Sequence, residues 1–170
     1  MNRAKIFIAF TFLLAFGVCV LAQDKTPKIV WENVQKEYED FNKIKPIIKL
    51  QNAKYLLWNS YDFKKITLLR FDEKEKEWIE GNYILDCGLI PRQNNIILKE
   101  AEPLDYFFFS GQFFALESSK GYFFISSDQK KYSVNGKYKI RFYYGFEPDK
   151  IEFFSDSPEF FIDGKYPANN

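Results

Sequence analysis

The chain reads as all-β, an antiparallel sandwich or barrel of short strands. Three observations predict this. Apolar runs separated by turn residues recur from Pro46 to Ile162, no helical period survives a competing strand reading, and Lys137 to Tyr144 alternates with a period of two. In that last run Tyr138, Ile140, Phe142 and Tyr144 fall on one face, and Lys137, Lys139, Arg141 and Tyr143 on the other, as in a half-buried strand. Asn135-Gly136 marks a tight turn into it. The pattern predicts about eight to ten strands, with no internal repeat and no low-complexity stretch.

The N-terminus carries a different signal. Arg3 and Lys5 precede an apolar block from Ile6 to Val20, and Val20-Leu21-Ala22 closes it with a small-residue cleavage pattern. This is the layout of a secretory signal peptide over residues 1–22. Read as a membrane anchor instead, the block falls short of the ~20 residues that a spanning helix needs, and Asp24 and Lys25 follow at once. A third reading attaches lipid at Cys19, although bacterial lipoprotein signals place Gly or Ala before that Cys and Val18 stands here. The expected location is secreted or periplasmic, with no transmembrane segment after cleavage.

Cleavage after Ala22 removes 22 of 170 residues and leaves 148, enough for one domain that buries about 70% of its unfolded surface. It also takes Arg3 and Lys5 from the 24 basic residues, so that 22 face 23 acids and the net charge is −1. Such a balance supplies no overall basic face for nucleic acid or an anionic membrane. Only Cys87 remains, so no intramolecular disulfide can form. Two fates are open to it: a small buried hydrophobe, or a link to another chain.

Residues 23–45 are an N-terminal strand and connection. Val30, Val34, Tyr38 and Phe41 recur at helical spacing, but Ile29 and Trp31 also alternate with Lys28 and Glu32. The preferred reading is a strand near Lys28 to Val34, then an irregular or one-turn helical connection through Asp40 and Asn42. The β domain runs over residues 46–163. Ile48 and Leu50 alternate with polar neighbours, Asn52-Ala53-Lys54 breaks the pattern, and strands follow at Tyr55 to Trp58 and Lys65 to Phe71. Asp72 to Glu77 is a charge run read as a solvated hairpin tip. Trp78 and Ile79 restart the pattern, Gly81-Asn82 interrupts it, and Tyr83 to Leu85 leads into Asp86-Cys87-Gly88. After a polar loop from Pro91 to Asn95 comes a short strand at Ile96 to Leu98.

Leu104 to Leu116 is the most aromatic segment, read as strands meeting at a Ser110-Gly111 turn. Consecutive rings on a strand cannot all face one core, so at least one of Phe107, Phe108 and Phe109 points outward. Phe107, Phe108, Phe109, Phe113 and Phe114 are accordingly the candidate interaction patch. Gly121 to Ile125 and the polar Ser126 to Lys131 precede the alternating strand. Gly145 to Asp149 is a loop, Ile151 to Phe154 a strand, Ser155 to Pro158 a break and Glu159 to Ile162 a closing strand, with 164–170 a flexible tail.

The spacing Asn135-Gly136-Lys137-Tyr138-Lys139-Ile140 resembles the corner leading into strand F of an immunoglobulin-like sandwich. There a Tyr sits two residues before the core position that antibody domains fill with Cys, and Ile140 takes that position here. Asn135, Gly136, Tyr138 and Ile140 are thus the expected structural corner. Gly136-Lys137-Tyr138 followed by Ser157-Pro158-Glu159-Phe160 also looks like the ends of many bacterial envelope β-sandwich domains. The resemblance covers 46–162 and implies a single immunoglobulin-like antiparallel β-sandwich; it implies a fold and not an activity.

The chain contains no histidine, which excludes Ser-His-Asp and Cys-His sites and removes the commonest zinc ligand. No phosphate-loop or dinucleotide fingerprint is present. Asp86, Glu147, Asp149, Asp156, Glu159 and Asp163 sit at expected loops and strand ends where a carboxylate pair for glycoside hydrolysis, or a calcium site, would form. No spacing rule selects a pair, no EF-hand pattern occurs, and solvated surface is the preferred reading. No catalytic residue, metal or cofactor is expected. Trp31, Trp58 and Trp78 are either core rings or a sugar-stacking platform, core being the commoner fate.

The expected function is an exported, non-catalytic module for protein–protein interaction or a structural role in the cell envelope, working through end loops or an exposed strand edge. The alternatives are a secreted protease inhibitor presenting a loop and a small glycan-binding domain.

Overall fold

The computed structural model describes residues 26–59, 66–82, 95–105, 108, 110–117, 121–147 and 153–164, with the backbone alone for 55, 57–59, 95, 96 and 110. The expected signal segment, Cys19, Cys87 and tail residues 165–170 lie outside this set. Within it the chain is all-β, and no helix is long and apolar enough to cross a membrane.

In chain order the strands are β1 (Lys28–Glu32), β2 (Glu37–Tyr38), β3 (Ile47–Gln51), β4 (Tyr55–Asn59), β5 (Ile66–Asp72), β6 (Glu77–Glu80) and β7 (Asn95–Lys99). They continue with β8 (Pro103–Leu104), β9 (Phe114–Glu117), β10 (Gly121–Ile125), β11 (Lys131–Ser133), β12 (Gly136–Tyr144), β13 (Phe153–Asp156) and β14 (Phe160–Ile162). The periodicity predicted fewer strands. Two- and three-residue pairings such as β2, β8 and β11 are too short to print a period on the sequence. Between β2 and β3 the chain makes a one-turn 3-10 helix, Phe41–Lys43, whose Asn42 N–H donates to Asp40 Oδ1 at 2.8 Å. This is the expected one-turn connection.

Six strands form the largest sheet, in the order β2-β14-β12-β5-β6 with β13 also paired to β12. Smaller sheets are β1-β3-β8, β11-β10-β9 and β4-β7. Named strands pair antiparallel except β2 with β14, which run parallel. An isolated bridge from Leu50 to Glu100 ties β3 to the end of β7, and one from Gly81 to Ser126 ties the large sheet to the end of β10. All four sheets contribute to one core, with Ile29, Leu50, Leu56, Leu68, Leu98, Phe124, Ile140 and Phe142 among its buried members. Residues 26–44 belong to that core through Ile29, Tyr38, Phe41 and Ile44.

β12 orders the large sheet. Its buried face is Tyr138, Ile140, Phe142 and Tyr144, as the alternation predicts. Asn135-Gly136 is not a hairpin turn, however, because β11 pairs with β10 whereas β12 pairs with β5, β13 and β14. The dipeptide carries the chain from one sheet to another. Tyr138 Oη donates to Val134 O at 2.6 Å across this corner, and Asn135 Nδ2 donates to Asp163 Oδ1 at 3.2 Å. Gly164 N–H donates to Asn135 Oδ1 at 3.3 Å, so the first residue of the expected flexible tail is tied to the corner. A Cβ on Gly136 would lie 3.1 Å from Arg70 Nη2, an approach that the Arg70 side chain would have to ease by a few tenths of an ångström.

The charge run forms the expected hairpin between β5 and β6. Asp72 Oδ1 accepts from Lys74 N and Glu75 N at 2.8 and 3.3 Å, and Lys76 turns the chain with φ of 58°.

Candidate functional site

The expected aromatic patch does not form a surface where the structure describes it. Phe108, Phe113 and Phe114 are buried, at 7%, 2% and 5% exposure. Phe113 and Phe114 both turn inward because Ser110–Phe113 is a 3-10 turn, so the strand alternation that would separate them starts only at Phe114. Phe114 stacks on Phe41 with centroids 4.4 Å apart, and Phe108 stacks on Phe113 at 5.8 Å. Phe107 and Phe109 lie outside the described residues.

Of the carboxylates considered for catalysis or calcium, Asp156, Glu159 and Asp163 are engaged by neighbouring side chains, and Glu147 is exposed. Asp86 and Asp149 lie outside the described residues. Asp156 accepts from Arg141 Nε at 2.6 Å and Nη2 at 2.9 Å, and pairs with Lys139 Nζ at 2.6 Å. Glu159 pairs with Lys137 at 3.5 Å, and Asp163 accepts from Asn135. Among the described residues no group of three or more acidic, cysteine or histidine side chains is placed to hold a metal.

The outer face of the large sheet is a row of cations laid over rings. Lys137 lies 4.9 Å from the Phe71 centroid, Lys139 4.5 Å from Trp78 and Arg141 4.4 Å from Phe154. Cross-strand pairing sets this up, since alternate residues of β12 share a face with alternate residues of β5, β13 and β14. Burial alone would raise the Asp156 carboxyl, but the hydrogen bonds from Arg141 and Lys139 outweigh it and hold the group below the usual carboxylate range. The same bond to Asp156 raises the Arg141 guanidinium.

A groove of about 570 Å³ opens where β1 and β13 face each other. Among the described residues each has one strand partner, β3 for β1 and β12 for β13. Trp31, Tyr144, Phe153 and Phe154 supply its rings, and Lys28, Ser155 and Asp156 its polar groups. Two hydrogen bonds tie the two sheets across it: Trp31 Nε1 donates to Ser155 Oγ at 2.9 Å, and Tyr144 Oη to Pro27 O at 3.3 Å. Burial raises the Tyr144 hydroxyl above its ordinary pKa, so it remains a donor at neutral pH.

Strand parity aims backbone groups into this groove. Ser157 N–H donates to Ile140 O at 2.8 Å, and the register carries on through Arg141 with Asp156, Phe142 with Ser155 and Tyr143 with Phe154. Ladder hydrogen bonds alternate in an antiparallel pair, so Ser155 and Phe153 face β12 while the N–H and C=O of Phe154 and Asp156 turn away from it. On the other wall, Leu50 O accepts from Ala101 N at 3.1 Å on the side away from β1. Its cross-strand partner Ile29, and Trp31 two residues on, therefore turn their backbone groups away from β3.

Sequence reasoning named Trp31 but not this groove. The breaks on either side of β13 were its only local signal, because short strands between loops are common edge strands. That β1 faces β13 is a tertiary relation with no local pattern. No protein-family model matches the chain, and no curated protein or solved structure is significantly similar to it.

Proposed function

We propose that this chain is an exported, non-catalytic β module that binds another protein by accepting an extended segment on the edge of β13. The observation that carries the reading is the parity of β13: Phe154 and Asp156 turn their backbone donors and acceptors into a ring-lined groove instead of into the sheet. Strand addition draws affinity from such main-chain groups and selectivity from the side chains on either face. The exposed Phe154 ring offers that contact on the outer face, and Phe153 offers it on the inner one. Export is supported by the N-terminal signal pattern, and a non-catalytic role by the missing imidazole.

A peptide array of short extended sequences, probed with the purified protein and with Phe154→Pro and Phe154→Leu variants, tests this. Proline removes one outward N–H while leaving the β12 ladder intact, and edge strands tolerate it. Peptides should bind the protein and Phe154→Leu but be lost by Phe154→Pro. An array with no binders, or binding indifferent to proline, would sink the reading. A glycan-binding domain would instead retain its ligand in Phe154→Pro, because sugars stack on rings and need no strand edge.

A further inference from the structure

The charge of the groove specifies what the added strand carries, an inference that rests on the strand-addition reading above. Lys28 lines the β1 wall and makes no ion pair among the described residues. At the β13 wall Lys139 and Arg141 converge on the single carboxylate of Asp156. With Lys28 on the opposite wall, the described side chains carry three cations against this one carboxylate, a surplus of two positive charges. Of the other described acids nearby, Glu32 is engaged by Lys49 at 2.9 Å and Glu159 by Lys137 at 3.5 Å.

We infer that the partner segment is acidic: an extended stretch of another protein in which a carboxylate and a bulky apolar side chain stand two residues apart, on the same face. That spacing follows from the wall itself. A strand beside β13 places successive side chains on opposite faces, so one set meets the outer face that Phe154 and Asp156 share with Tyr143 and Arg141. A carboxylate beside Asp156 gains from the Arg141 and Lys139 surplus, and an apolar residue beside Phe154 covers a ring that is 57% exposed. Lys28 draws the same sign of charge from across the groove. Complementary charge of this kind sets selectivity and encounter rate more than affinity.

The test uses two labelled peptides, one carrying tyrosine and glutamate two residues apart with serine between them, and one with lysine in place of the glutamate. Anisotropy is read on the purified protein, Phe154→Pro and Lys28→Glu, with polygalacturonate as a further probe. The glutamate peptide should bind about ten-fold more tightly than the lysine peptide at low salt, with the margin shrinking as salt rises. Lys28→Glu should narrow the margin by about five-fold, and Phe154→Pro should abolish binding. Equal binding of both peptides, lost in Phe154→Pro, would overturn the acidic partner and leave strand addition standing. Binding of neither peptide, or binding that survives proline, would remove strand addition and the acidic partner together. Polygalacturonate bound equally by the protein and Phe154→Pro, in place of the peptide, would assign the surplus charge to an anionic glycan and also overturn the proposal.

Discussion

The Tyr138 hydroxyl donates to the carbonyl of Val134 at 2.6 Å, with its ring fully buried between Phe124 and Phe160. The bond fastens the point where the chain leaves the β10-β11 pairing and enters the large sheet. Arg70 supports the same corner from β5, donating to Ser133 O and Asn135 O at 3.3 Å each while its guanidinium lies 5.1 Å over the Tyr132 ring. The backbone carbonyls of three consecutive residues, Ser133, Val134 and Asn135, are thereby held by two side chains of the large sheet.

Tyr138→Phe removes that donor without changing the ring. Because Val134 is buried at the corner, the variant should lose about 1–3 kcal/mol of stability, the cost of an unsatisfied buried acceptor. Urea unfolding checks this through a lowered midpoint with an unchanged slope. A change below about 0.5 kcal/mol would mean that the corner is held by Arg70 alone.

The alternation from Tyr138 to Tyr144 was legible because a half-buried strand in the middle of a sheet imposes a strict period of two. So was the corner tyrosine, whose spacing from Asn135 is local. What the chain could not display was Ser110–Phe113, where a single 3-10 turn shifted two neighbouring rings onto one side and turned an expected surface into core. The β1–β13 groove was hidden for a different reason. Trp31 and Ser155 are 124 residues apart, and no local pattern encodes which edges meet.

Gly81 marks a close approach of backbone to core. Its N–H donates to Leu68 O at 2.8 Å, and a Cβ there would stand 2.9 Å from that oxygen and 2.9 Å from the Phe124 ring. Both neighbours are packed, so neither can yield cheaply. Gly81→Ala should cost about 1–3 kcal/mol, as overpacking does. Thermal unfolding is the check, and a midpoint equal to that of the parent protein would show that the β6 end has room to shift.

Thr67 is 3% exposed, and among the described residues its Oγ1 has no hydrogen-bond partner. A buried hydroxyl without a partner is a liability, and valine has the same shape without it. Thr67→Val should therefore raise stability, by about 1–3 kcal/mol. Chemical denaturation of the two proteins decides the sign. Destabilisation would mean that the hydroxyl is satisfied by a water or by a residue outside the described set.

Asp156 gives the fold a dependence on acid. Its carboxyl is held below the usual range despite burial, because Arg141 and Lys139 stabilise the ionised form. A carboxylate whose pKa is lower in the folded state contributes stability that is present above the unfolded value of about 4 and is lost as pH falls through the folded value. The pair is partly exposed, so solvent screening limits the contribution to about 1 kcal/mol. Asp156→Asn should therefore be less stable than the parent protein by about that amount at neutral pH. The gap should begin to shrink as pH drops below about 4 and close once pH has fallen through the lower, folded value, where the parent carboxylate takes up its proton. Unfolding free energies measured across that range give the answer: a gap that stays constant into acid would assign the loss to altered packing of Arg141 over Phe154 and not to charge.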